Sequence, residues 1–214
     1  MNFFNYESGI MSAINKVADT LILSVLWVLC SLPVFTVGAS SAAFYYAYQK
    51  CVRQRTDYAV RTFFTGFRSN FKQAATVWLV VLGLSVVAVA DWYLLSLMKD
   101  TSILIPIIQA ALLVVMAAIV IWALYLFPYL SRFENTTKTI LKNCALIAIA
   151  NLPRSILLLV LFFLCGVGFV SFPLLNLLIP ALYIACANRI LESIFQKYMP
   201  SEESALQESA AASL

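Results

Sequence analysis

The chain has 214 residues, 63% of them hydrophobic and 11% charged, and its mean hydropathy is +0.91. Ordinary soluble domains are about 45–50% apolar and about 25% charged, so the water-soluble classes fit poorly. The 14 basic and 10 acidic residues, net charge +4, leave uncharged runs of 30, 18, 31 and 34 residues at 20–49, 73–90, 101–131 and 155–188. A spanning helix needs about 20 apolar residues, whereas barrel strands alternate in segments of about 10, so these runs specify an all-α, polytopic helical membrane protein.

The first run is interrupted by Leu32-Pro33-Val34-Phe35-Thr36-Val37-Gly38, which predicts one helix over 10–31 and a second over 36–53. The segment before it is not expected to be a cleaved signal, because it carries Glu7 and no basic residue before Lys16. Asp19, an acid inside the first helix near its cytoplasmic end, is expected to pair with Lys16 three residues earlier on the same face rather than to couple protons. In the second helix Gly38 and Ala42 stand at the spacing that lets helix backbones approach closely, and they are expected to pack in a helix seam.

Residues 56–73 then read as a basic amphipathic helix. Phe63, Phe64, Phe67 and Phe71 share one face, Arg61, Arg68 and Lys72 lie round the wheel, and Thr56 and Asp57 are candidate caps. Two spanning helices follow at 74–97 and 103–130, joined by the turn 98–102. A weaker amphipathic helix covers 134–150, with Asn135, Lys138 and Lys142 opposite Ile140, Leu141 and Cys144. The last run, broken at Gly166, Gly168 and Pro173, predicts a helix over 153–170 and another from 173 past Asn188. Residues 1–199 thus form one helical membrane domain, and the Ser-, Glu- and Ala-rich 200–214 a disordered tail.

The sum is six spans in three hairpins with two amphipathic helices on the cytoplasmic side. A five-span arrangement, with 38–53 along the surface and the amino terminus outside, is the alternative. Orientation follows from 50–72, which holds six of the 14 basic residues and is expected to face the cytoplasm together with both termini.

Catalytic chemistry has little to work with. Histidine is absent, the five cysteines form no C-x-x-C pair, and no P-loop occurs. The expectation is no enzyme, no cofactor, no metal and no nucleic acid. The amphipathic helices remain, and they either rest on anionic lipid or dock a cytoplasmic protein. The docking candidates are Phe63, Phe67, Arg68, Phe71 and Lys72, with Glu134, Asn135 and Lys142.

Met1-Asn2-Phe3-Phe4, Cys30-Ser31-Leu32-Pro33 followed by Gly38-Ala39-Ser40, Asn70-Phe71-Lys72-Gln73, Arg132-Phe133-Glu134-Asn135, Leu141-Lys142-Asn143-Cys144 and Leu152-Pro153-Arg154 occur in this order. As a set, over about 1–198, they resemble the YesL family of small bacterial membrane proteins. That resemblance implies a multi-pass protein of the bacterial cytoplasmic membrane encoded beside carbohydrate ABC importers, with no assigned reaction. It suggests an accessory subunit of an oligosaccharide ABC importer, partnered by its permease and possibly ATPase subunits and helping assembly or transport. A stand-alone solute carrier or channel is the alternative. The sequence lacks the E-A-A-x-x-x-G loop of importer permeases, and its apolar runs offer few groups to bind a sugar.

Overall fold

The computed structural model describes residues 3–54, 58–98, 104–171 and 176–198, with side-chain environments from residue 14 onward. The described residues include seven α-helices: α1 Phe3–Cys30, α2 Val37–Ala47, α3 Ala59–Leu97, α4 Leu104–Arg132, α5 Thr137–Ala150, α6 Leu152–Ser171 and α7 Leu178–Phe195. The expected caps Thr56 and Asp57, the turn residues 99–102, Pro173 and the tail 200–214 lie outside the described residues. Among the described residues α3, α4, α6 and α7 are long and apolar enough to cross a membrane, consistent with a multi-pass membrane protein.

The amphipathic segment and the spanning segment that follows it are one helix, which corrects the expectation of two. Nothing between Phe67 and Leu82 breaks it, since neither glycine nor proline occurs there. At 39 residues α3 is about 58 Å long, nearly twice the roughly 30 Å hydrocarbon core of a bilayer. Its first half is held by α2 rather than by a flat surface. Phe63 is fully buried, and a Cβ on Gly66 would lie 2.7 Å from the Tyr46 ring. Phe63, Phe67 and Phe71 continue the contact as a ladder with ring centroids 6.3 and 5.4 Å apart.

The α1–α2 hairpin is tied at its tip. Thr36 Oγ1 reaches the carbonyl oxygens of Cys30 and Pro33, each at 2.6 Å, and the Ser31 and Ser40 hydroxyls meet at 2.7 Å. Lower down, Trp27 Nε1 donates to Ser41 Oγ at 3.1 Å. The tip itself sits beside the middle of α3, where Trp78 Nε1 donates to Val34 O at 2.6 Å. Gly38 is buried at the same level. A Cβ there would stand 2.6 Å from Trp78 Cβ, 2.8 Å from Phe127 Cε1 and 2.9 Å from Ala74 O, so only glycine lets α2 approach α3 and α4 this closely. Ala42 is likewise buried.

Trp78 is 19 residues from Leu97, so the tip stops about 28 Å short of the far end of α3. Six spans in three hairpins need that tip at the far end. Instead α2 runs antiparallel to the basic first half of α3 and ends in a π-helical turn, Tyr48–Arg53. Lys16 is exposed and Asp19 half-exposed, and among the described residues they make no ion pair, in contrast to the pairing expected; two hydrated charges gain too little to hold each other.

On the other side α5 folds back along α4, with Trp122 Nε1 donating to Leu141 O at 3.0 Å. Tyr125 Oη meets Ser155 Oγ at 3.0 Å and joins the end of α4 to the start of α6. The core therefore lies at the basic end, where 125–130 of α4 are all buried. Towards the far end Val86, Val87, Leu94, Leu113 and Val114 are exposed, as lipid-facing side chains are.

Candidate functional site

The last turns of α7 carry two polar residues into this core. Glu192 is 1% exposed, and a carboxylate removed from water is tolerated only when paired and hydrogen-bonded. Tyr45 Oη donates to its Oε1 at 2.9 Å, and Arg132 Nη2 reaches Oε2 at 3.5 Å. One turn earlier, Asn188 Nδ2 donates to Gln49 Oε1 at 3.0 Å while Arg53 Nη1 donates to Asn188 Oδ1 at 3.0 Å. The π-helical turn, with Gln54 N bonded to Gln49 O five residues back, places Gln49 and Arg53 against the same asparagine. The network couples α2, α4 and α7 through groups 60 to 147 residues apart in sequence. A second knot fixes the start of α5. Tyr129 Oη accepts from Asn135 Nδ2 at 3.3 Å and from Asn143 Nδ2 at 3.1 Å, and Gln73 Nε2 donates to Asn135 O at 2.7 Å.

Between these knots lies a polar cleft of about 980 Å³, walled by the end of α2, the first half of α3 and the α4–α5 turn. Gln49, Gln54, Asn70, Gln73 and Asn135 are among the residues that line it, with Ser69 and Thr139. A mostly apolar chamber of about 460 Å³ lies between the α1–α2 hairpin and α3, α4, α6 and α7. Trp78, Phe127, Phe162 and Tyr183 line it, and Tyr45 borders both spaces.

The candidate docking residues divide by burial. Arg68, Lys72, Glu134 and Lys142 are exposed, while Phe67, Phe71 and Asn135 are half-buried. Phe63 is a core residue at 0% exposure, which corrects its assignment as a contact residue: α2 covers it. Phe64, on the outer side of the helix, is 49% exposed. Glu134 and Asn135 line the polar cleft, whereas Arg68, Lys72 and Lys142 stand outside it. Sequence reasoning missed Tyr45, Gln49, Asn188 and Glu192. Only a carboxylate and an amide at the end of an apolar run hinted at the α7 pair, because their partners are distant in sequence. Cys144 is buried, and that burial pushes its thiol up and keeps it neutral, as befits a small apolar filler.

No curated protein and no solved structure matches this chain. One family profile does: that of DUF624, a family described as proteins of unknown function, matches residues 20–92, from α1 through most of α3.

Proposed function

We propose that this protein is a YesL-like accessory subunit of the bacterial cytoplasmic membrane that docks the permease or ATPase subunits of a carbohydrate ABC importer through the basic end of its bundle. Membership is supported by the DUF624 match, which spans the Cys30-Ser31-Leu32-Pro33 tip, the Gly38-Ala39-Ser40 seam and Asn70-Phe71-Lys72-Gln73. In this reading α3, α4, α6 and α7 span the bilayer and the α1–α2 hairpin enters from the cytoplasmic side, with both termini cytoplasmic. The positive excess of 50–72 supports the orientation.

The observation that carries docking over lipid contact is the unbroken α3. Arg61 lies 13 residues before Ala74, about 20 Å along the helix, and Arg68 about 9 Å. Attraction to an anionic leaflet fades within a Debye length of about 8 Å, so a helix that stands off the surface holds Arg61 out of its range. A protein partner can reach that face. Arg61, Phe64, Arg68 and Lys72 are all exposed on it, and Lys142 adds charge from α5. The carrier reading is weaker, because the chamber that shares Tyr45 with the polar cleft is lined mostly by apolar side chains.

Co-purification in mild detergent tests the proposal. Phe64→Ala and the pair Arg68→Glu, Lys72→Glu should lose importer subunits while the protein remains inserted and folded. Full retention of those subunits by both variants would refute docking through this face.

A further inference from the structure

We propose that the polar cleft at the basic end binds a small, uncharged, polyhydroxylated ligand of the saccharide class. This goes beyond the docking role and does not depend on it. At about 980 Å³ the cleft is at the upper end of the roughly 300–1,000 Å³ typical of small-molecule sites. Its lining is unusual in chemistry. Gln54 is exposed, and Gln49, Asn70, Gln73 and Asn135 each engage one side-chain polar atom within the protein and keep the other, so the lining as a whole can both donate and accept, as do the hydroxyl groups of a sugar. An apolar occupant would strip water from these groups and return no hydrogen bond.

Charge points the same way. Lys50 and Arg132 line the cleft, but the Lys50 ammonium lies 4.7 Å from the centroid of the Tyr46 ring and Arg132 faces Glu192. Glu134 adds a carboxylate to the same wall. An anion therefore meets cations already engaged and a like charge, whereas a neutral polyol meets neither difficulty. The walls are also preorganised, since Gln73 is held by Asn135 O and Asn70 Nδ2 by Gly66 O at 3.2 Å.

The test uses the full chain in phosphatidylcholine nanodiscs, free of glycosidic detergent and of any importer. Glucose, galactose, maltose and cellobiose are titrated against glucuronate and glucose 6-phosphate, with thermal unfolding followed by intrinsic fluorescence. At least one neutral saccharide should raise the melting temperature saturably, with its charged counterparts weaker by about tenfold or more. Ser69→Phe, which projects a ring into the cleft from an exposed position, should abolish the shift while leaving helicity and unliganded melting unchanged. Gln54→Ala, at an exposed position on the rim, should weaken it and serves if the phenylalanine perturbs folding. The proposal is overturned if no neutral saccharide shifts the melting curve, if the charged probes bind more tightly, or if both variants bind as the parent does. Because no importer is present, these results are independent of whether docking through α3 occurs.

Discussion

Gly38 and Gly83 both sit inside helices and should respond to the same substitution with opposite signs. At Gly38 an alanine methyl would stand 2.6 Å from Trp78 Cβ and 2.9 Å from the Ala74 carbonyl oxygen, against an optimum of about 3.5 Å or more. Neither neighbour is the far end of a flexible side chain, so α2 must retreat by roughly 1 Å. A gap of that size forfeits a quarter to a half of each dispersion contact along the seam. Overpacking of this kind costs about 1–3 kcal/mol, partly offset by the roughly 1 kcal/mol that alanine gains over glycine within a helix. At Gly83 nothing lies within 4 Å of the added methyl, so only the helix gain remains. Fluorescence-detected melting of purified Gly38→Ala and Gly83→Ala should place the first below the parent by several degrees and the second at or slightly above it. A Gly38→Ala protein that melts at or above the parent would refute the close α2–α3 seam.

Other perturbations separate core from surface in the same molecule. Phe63→Ala should cost about 3–5 kcal/mol, as expected for a fully buried ring, while Phe64→Ala leaves melting within about 0.5 kcal/mol of the parent. Arg132→Met should destabilise by about 3 kcal/mol, because it leaves the buried Glu192 carboxylate with Tyr45 alone; Arg132→Met with Glu192→Met should recover part of that loss in a double-mutant cycle. Maleimide should modify the exposed Cys186 in the folded detergent-solubilised protein and reach Cys144 only after denaturation, as quantified by intact-mass spectrometry.

What the sequence made legible was whatever rests on local pattern. Uncharged runs located the four apolar helices, and the spacing singled out Gly38 and Ala42, both of which are buried in α2. The length of α3 was also present, as an absence of breakers between Phe67 and Leu82, but the change from amphipathic to apolar character disguised one helix as two. Periodicity placed Phe63, Phe67 and Phe71 on one face, yet it cannot say whether a helical face meets lipid, a partner or another helix of the same chain. Here that face meets α2. The network of Tyr45, Gln49, Arg132, Asn188 and Glu192 was beyond local reading, since each contact joins elements brought together only by the fold. The position of the α1–α2 tip was hidden for the same reason, because proline and glycine mark a turn without saying at what depth the turn sits.

The depth of that tip is the central structural claim, and cysteine accessibility in intact cells measures it directly. Single cysteines at Val34, Ser69 and Ser96, in a chain whose native cysteines have been replaced, are exposed to a membrane-impermeant maleimide before and after permeabilisation. A hairpin inserted from the cytoplasmic side predicts that Ser96→Cys alone reacts in intact cells and that Ser69→Cys reacts only after permeabilisation. Reaction of Val34→Cys in intact cells would place the tip outside and contradict the inserted hairpin, and reaction of Ser69→Cys there would contradict the orientation as well.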